Sequence, residues 1–289
     1  MFCKGFELMC ENNHVNKQYP RFSVLMSLYR KEKPAFLREC LESLINQTVL
    51  ADEWVIVKDG PLTVELEAVL SEYECRYPNL IKYVVFDKNQ GLGLALRAGV
   101  PACSHELIAR MDTDDICIPE RFEIQLQEFI GHPELDICGG HIKEFDISVN
   151  NVISMRKVPL TNDEIVQYQK RRSAYNHMTV MFRKSAVLNA GNYEHAPLME
   201  DDMLWTRMIL AGCKGKNIDD YLVYVRTGIN MIERRGGWSY FVKYKRSRKK
   251  VYLLGLSSYW DYIYTITVQL IVALLPAKIR KVLFIKILR

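Results

Sequence analysis

Acids stand directly behind three apolar runs: Asp59 after Trp54-Val-Ile-Val-Lys58, Asp87 after Tyr83-Val-Val-Phe86, and Asp112, Asp114 and Asp115 after Leu107-Ile-Ala-Arg-Met111. A carboxylate in such a place can accept from a ribose hydroxyl or a base N–H. Clustered carboxylates also offer the hard oxygens that Mg²⁺ or Mn²⁺ prefers. Turn formation and helix capping use the same residue type and compete most strongly at Asp59. They compete less at Asp112-Thr-Asp114-Asp115, where adjacent like charges repel unless a cation sits among them.

A second acidic run lies in Met199-Glu-Asp-Asp-Met-Leu-Trp205. On a helix, Asp201, Trp205, Met208 and Ile209 share one face, so Asp201 heads an inward stripe. A carboxylate so placed can take a proton from a reacting hydroxyl. The competing reading is stabilisation of a helix start, worth about 0.3–1 kcal/mol, which Glu200 and Asp202 can supply. His177 precedes an apolar run and reads either as a site-lining group or as a satisfied polar residue at a strand start. Arg234 and Arg235, next to a Gly pair and Trp238, have the planar donors that grip diphosphate oxygens, with a surface turn as the alternative. Gly91-x-Gly93 fits neither the dinucleotide nor the P-loop fingerprint, which excludes a dehydrogenase or a P-loop kinase.

These residues must be positioned by alternating elements. Residues 22–29, 54–57, 81–86 and 107–111 read as strands, and 34–47, 63–77, 91–102 and 119–130 as amphipathic helices. That alternation predicts an α/β fold, a Rossmann-like and mainly parallel sheet with helices on both faces, and ligands beyond the carboxyl ends of its strands. Farther on, strands are expected at 137–145, 152–158 and 178–182, a polar helix at 163–172 and another helix at 200–211.

Taken together, several segments resemble a family 2 glycosyltransferase of the GT-A fold, of the bacterial capsular or exopolysaccharide type. They are Ser23-Val-Leu-Met-Ser-Leu-Tyr29 with Lys31-Glu32, Val57-Lys-Asp-Gly60, Asn89-Gln-Gly-Leu-Gly-Leu-Ala-Leu-Arg97, and Met111-Asp-Thr-Asp-Asp-Ile116 followed by Pro119-Glu-Arg-Phe122. The resemblance spans roughly residues 20–240 in order. It implies a nucleotide-diphosphate-sugar donor, a UDP-sugar, with Ser27, Tyr29 and Glu32 bracketing the base and Asp59 on the base or ribose side. Asn89 and Arg97 would face the nucleotide, Asp112 would lie near the ribose, Asp112 and Asp114 would hold Mn²⁺ or Mg²⁺, and Asp201 would be the base. Many members carry a metal-binding His after the last strand; Leu222-Val-Tyr-Val-Arg-Thr-Gly228 has none. The expected reaction is inverting transfer of a sugar to a hydroxyl of a lipid-linked oligosaccharide. One rival is a sugar-phosphate nucleotidylyltransferase, whose Gly-rich signature Leu28-Tyr-Arg-Lys-Glu32 lacks. The other is a non-catalytic nucleotide-sugar-binding or assembly protein at the membrane.

With 289 residues, 49% hydrophobic and 25% charged, the chain is neither disordered, collagenous nor a polytopic membrane protein. Its eight cysteines contain no Cys-x-x-Cys pair, so neither a zinc site nor a disulfide framework is expected. Residues 1–15 lack the continuous apolar core of a signal peptide, which places the chain on the cytosolic side. From Arg234 onward there are thirteen Lys/Arg and one acid, a balance of +12, against −7 for the preceding residues. Residues 243–250 are basic and 259–275 strongly apolar, with Tyr259, Trp260, Tyr262 and Tyr264. Spanning a bilayer takes about 20 apolar residues. The tail is therefore expected to lie in the membrane interface with its aromatics at headgroup depth, the alternative being a helical pair packed on the domain or on a second subunit. Its cations flank apolar stretches, not a polar groove-reading surface, which argues against nucleic acid. The expected organisation is an extension over 1–19, a GT-A domain over 20–240 and a membrane-associated helical tail over 241–289, peripheral at the cytoplasmic face of the plasma membrane.

Overall fold

Side chains of β1 (Phe22–Leu28) alternate between two cores: Val24 and Met26 enter one and Leu25 the other. In β2 (Glu53–Lys58), Trp54 and Ile56 join the first core and Val55 and Val57 the second. Strands buried on both faces need helices on both, and the computed structural model, which describes residues 19–196, 198–227 and 236–276, supplies them. Helices α1 (Pro34–Ile45), α2 (Val64–Arg76) and, later, α4 (Arg121–Gly131) fill the first core with Leu37, Leu41, Leu70, Tyr73, Phe122 and Leu126. The second is filled by Leu96 and Val100 of α3 (Leu92–Ala102), Val187 of α6 (Lys184–Asn189), and Leu204 and Trp205 of α7 (Glu200–Leu210). Pro34 opens α1 where its missing N–H costs nothing, and the Thr63 hydroxyl caps α2.

Among the described residues the sheet has nine strands in the order β3-β2-β1-β4-β8-β6-β9-β5, with β7 paired to β6. β3 (Ile81–Val85), β2, β1 and β4 (Leu107–Met111) are parallel. The polarity then reverses: β8 (Met181–Arg183) is antiparallel to β4 and to β6 (Leu135–Phe145). β9 (Lys214–Arg226) runs parallel to β6, while β5 (Ile116–Cys117) and β7 (Val152–Arg156) run antiparallel to β9 and β6. The expected strand over 178–182 is instead a 3₁₀ turn, His177–Thr179, followed by the three residues of β8. The Thr179 hydroxyl donates to the Asn176 carbonyl at 2.8 Å and the Asn176 amide to the Gly140 carbonyl at 2.8 Å, local bonds that tighten the backbone out of extended form. The polar helix is α5 (Asn162–Gln169), opened by a Thr161–Glu164 capping box.

The tail forms α8 (Gly237–Leu253) and α9 (Tyr259–Leu274), and both dock on the body. Arg248, 1% exposed, donates to the Lys170 carbonyl and lies 4.0 Å from Asp202. Ser257 donates to that same carbonyl at 2.7 Å, and Arg171 pairs with Asp261 at 2.6 Å. The tail thus packs on the domain, as the alternative reading had it, with its buried arginine and two of its polar groups bonded to the α5 end. Tyr262 stacks on Tyr252 and Arg171 sits over Tyr264, whereas Trp260 stays 75% exposed. Among the described residues no helix is long and apolar enough to cross a membrane. Arg234, Arg235, the segment 278–289 and, apart from Tyr19, the N-terminal extension lie outside the described residues.

Candidate active site

Parallel pairing of β1, β2 and β4 carries their carboxyl ends to one edge. Asp59, one residue past β2, is buried there, and its carboxylate accepts from the Asn89 amide at 2.8 Å and from the backbone N–H groups of Gln90 at 2.7 Å and Gly91 at 3.0 Å. The structure thus brings Asp59 and Asn89 together, chiefly with each other, and holds the loop that starts α3. An ionised carboxylate has about four acceptor positions, so one is left for a ligand. Gly60 permits this closure: its φ is +88°, and a Cβ would meet the Asn89 nitrogen at 2.7 Å. The Arg97 guanidinium donates through Nη1 to the carbonyls of Tyr193 at 2.7 Å and Gly191 at 3.3 Å, tying α3 to the loop ahead of α7.

Behind β4 the acids crowd as their spacing suggests. Asp112 is paired with Arg110 at 2.5 Å. Glu32 accepts from the Thr113 hydroxyl at 3.1 Å, joining the β1 loop to this cluster, and its carboxyl is raised by burial. Burial, then Asp112 and Glu32, push Asp114 up to about 7. Asp115 is raised by burial, then by Asp112 and Asp114, and accepts the Arg226 N–H at 2.8 Å. Ser27 is partly buried near the end of β1, and Tyr29 is 42% exposed just past it.

On α7, Trp205 and Met208 are buried and Asp201 heads their stripe, its carboxyl pushed up to about 7 by burial, then by Asp202 and Glu200. The residue ahead of the helix, Met199, is held at φ +68°, a left-handed conformation that a side chain disfavours. Gly93 lets α3 approach this turn: a Cβ there would lie 2.3 Å from the Glu194 carbonyl oxygen and 3.2 Å from the Glu200 Cβ. Asp202 is not a solvated first-turn acid. It is buried and accepts from Gln169 at 2.9 Å. His177 is the satisfied polar residue of the two readings, 3.0 Å from the Tyr193 hydroxyl, with burial and then Arg110 holding it neutral.

Arg110 was not among the sequence candidates, yet it centres the site. It is 1% exposed, and its charge lowers Asp114, Asp115, Glu200 and Asp201 alike, so the acids behind β4 and those of α7 share one guanidinium. Its Nε and Nη1 have no hydrogen-bond partner. The available signal was a lone cation inside a five-residue apolar strand. Arg226 was also missed. At the end of β9, where the expected metal-binding His is absent, it stacks on Phe36 at 3.9 Å and donates to the Asp114 carbonyl at 3.2 Å. Among the described residues no three His, Cys, Asp or Glu side chains converge as a metal cage. Mg²⁺-type cations are commonly held by one or two carboxylates plus substrate phosphates and water, and Asp112 with Asp114 fits that mode. Their mutual repulsion, visible in the raised Asp114, is what a dication relieves.

The sequence profile described as glycosyl transferase family 2 matches residues 23–189. An uncharacterized glycosyltransferase of Haemophilus influenzae is 44% identical, covering 93% of this chain and 99% of that protein. The amylovoran biosynthesis glycosyltransferase AmsE of Erwinia amylovora is also 44% identical, over 82% of this chain and 86% of its own. A UDP-Gal:alpha-D-GlcNAc-diphosphoundecaprenol beta-1,3-galactosyltransferase of Escherichia coli is 37% identical over 93% and 97%. The crystal structure of Staphylococcus aureus TarS 1–349 with UDP-GlcNAc shares the fold at a TM-score of 0.60 and 16% identity, covering 90% of this chain and 69% of that one.

Proposed function

The chain belongs to glycosyl transferase family 2 and is a glycosyltransferase, and from that premise we propose that it moves a sugar from a UDP-sugar to a hydroxyl of a diphosphate-lipid-linked saccharide in bacterial surface-polysaccharide synthesis. Donor and acceptor classes are carried over from the Escherichia coli relative, which aligns over nearly the full length of both chains. The observation that carries the reading is Asp201, a carboxyl held near 7 at the head of a buried stripe and sharing Arg110 with the acids behind β4. A base with a pKa near the working pH is ionised often enough to accept a proton and basic enough to hold it.

In this reading the donor lies along the β1, β2 and β4 edge, with Ser27, Tyr29 and Glu32 beside the base, Asp59 holding the Asn89 loop, and Asp112 near the ribose. Asp112 and Asp114 would hold Mn²⁺ or Mg²⁺, which when bound neutralises charge on the leaving diphosphate. Asp201 accepts the acceptor hydroxyl proton as that oxygen attacks the anomeric carbon from the face opposite the nucleotide, inverting it. Arg110 keeps part of the Asp201 population ionised. The enzyme works peripherally at the cytoplasmic face of the plasma membrane, supported by the basic α8 and the exposed Trp238, Tyr259 and Trp260. The test is a panel of UDP-sugars with GlcNAc-diphosphoundecaprenol, scored for UDP release and product. Expected is one productive donor and loss of transfer in Asp201→Asn; transfer to no lipid-linked acceptor would overturn the proposal.

A further inference from the structure

Between β6, β7, α5 and the two tail helices lies a cavity of about 1160 Å³, larger than the roughly 300–1,000 Å³ of ordinary small-ligand pockets. One part of its wall is cationic, with Arg156, Arg172 and Arg248; another is apolar, with Met178, Val268 and Val272. Met199 and Asp202, the residues on either side of Glu200-Asp201, also line it. The cavity therefore abuts the turn that carries the base.

Two guanidinium N–H groups on this wall are buried without a partner among the described residues. Arg156 donates through Nη2 to the Ser173 carbonyl at 2.7 Å, but its Nε has no acceptor. Arg248 is bonded to the Lys170 carbonyl, and its Nε likewise has none. Burial, then the neighbouring Arg172, depress the Arg156 guanidinium. Of the acids on the wall, Asp202 accepts from Gln169 and lies 4.0 Å from Nη1 of Arg248, Glu144 accepts from Ser154 and Glu164 from Thr161, and none of them reaches either Nε. Unpaired buried donors are costly, and an anion entering the cavity would satisfy them. The remaining wall suits hydrocarbon.

We propose that this cavity seats the diphosphate and the first isoprenoid units of the acceptor lipid, with phosphate oxygens on Arg156 and Arg248 and the chain against Val268 and Val272 of α9. The assignment rests on the acceptor class proposed above. It gives the tail a second task, because α8 and α9 form part of the seat, and it sets the sugar joined to that diphosphate beside Asp201. A nucleotide has no use for the apolar half.

Direct binding of farnesyl diphosphate to the full chain tests the seat without turnover. Loss of one charge-assisted hydrogen bond corresponds to roughly tenfold or more in affinity, so Arg156→Gln should weaken binding at least about tenfold. Val268→Trp, which fills the apolar half, should do likewise, with UDP affinity reporting that each variant is folded. On the unmodified chain, a benzophenone analogue of farnesyl diphosphate should label Met178 or residues 268–272 on photolysis. Label elsewhere, unchanged affinity in both folded variants, or equal displacement by phosphatidylglycerol would overturn the proposal. If farnesyl diphosphate binds here as described and yet no lipid-linked saccharide is glycosylated, the seat stands and the acceptor reading fails.

Discussion

Replacing Asp201 by Asn removes a charge and almost no volume, which separates two consequences of its burial. In the folded chain the carboxyl is pushed up to about 7 from an ordinary 3.8, by burial, then by Asp202 and Glu200. Between those pH values the folded chain keeps a proton that the unfolded chain has lost. The stability contributed by this group therefore falls as pH rises from about 4 to 7 and remains low above that. At about 1.4 kcal/mol per pH unit, three units set a ceiling of about 4 kcal/mol on the cost of the ionised form at pH 8. Asn carries no such cost. The variant should accordingly melt higher than the parent at pH 8, by a smaller margin at pH 5, and level with it only below about pH 4, while turnover drops about 10²- to 10⁴-fold and UDP affinity persists. Even 1 kcal/mol moves the melting temperature by about 2–4 °C in a domain of some 150–250 residues, so thermal melts at the two pH values resolve the effect. A variant that melts lower than or level with the parent at pH 8 would show that native partners stabilise the carboxylate, and its role as a poised base would go with that. Preserved turnover would show that another group takes the proton.

Because Asp201 must be ionised, kcat/KM should fall about tenfold per pH unit below about 7. In Arg110→Met that limb should move to higher pH, since the guanidinium lowers Asp201 and Asp114; an unmoved limb in a pH–rate profile would refute the shared-cation picture. Chelation should stop transfer and Mn²⁺ or Mg²⁺ restore it, and titration calorimetry should show Asp114→Ala losing the metal-dependent part of UDP binding; full activity in excess chelator would refute metal dependence. Truncation before Gly237 should release the chain from anionic vesicles and also lower the melting temperature of the body, because removing Arg248 from beside buried Asp202 costs on the order of 3–5 kcal/mol. An unchanged melt would mean that the tail lends the body no stability. Salt washing should extract little of the intact chain, because burial of its aromatic side chains is not screened.

The parallel half of the sheet was legible because its strands are buried on both faces and separated by helices with one apolar stripe: Leu37, Cys40, Leu41 and Leu44 of α1 are all buried. Beyond Asp136 the signal weakens for identifiable reasons. The three residues of β8 are too few to show a period, as are the two of β5 before it, and Thr179 bonds to local carbonyls where a strand was expected. The acids behind β4 and the stripe under Asp201 were readable from type and spacing. Contacts from distant segments were not. Sequence shows that Asp202 can begin a helix but not that Gln169 and Arg248 reach it, and it shows Asp59 as a free carboxylate when three groups of the Asn89 loop occupy it. Arg110 was hidden by its company, since one cation in an apolar strand usually marks an edge, and here it marks the centre.

The reversal of polarity at β4 and β8 divides the chain's workload as well as its hydrogen bonding. Most candidate donor groups from Ser27 to Asp114 lie in or directly behind the parallel strands, whereas the walls of the cavity proposed for the acceptor and the helix bearing Asp201 belong to segments after residue 135. The seam between the halves is narrow, with three residue pairs from Leu107↔Arg183 to Ala109↔Met181. Drift or recombination downstream of that seam can remodel what receives the sugar without disturbing what delivers it. The exception is β5, which crosses back to pair with β9 and carries Asp115 to the Arg226 N–H. A chimera that exchanges the second half must therefore bring in a β9 that still pairs with Ile116–Cys117 and presents its last backbone N–H to Asp115, or the two halves lose their common anchor behind the acid cluster.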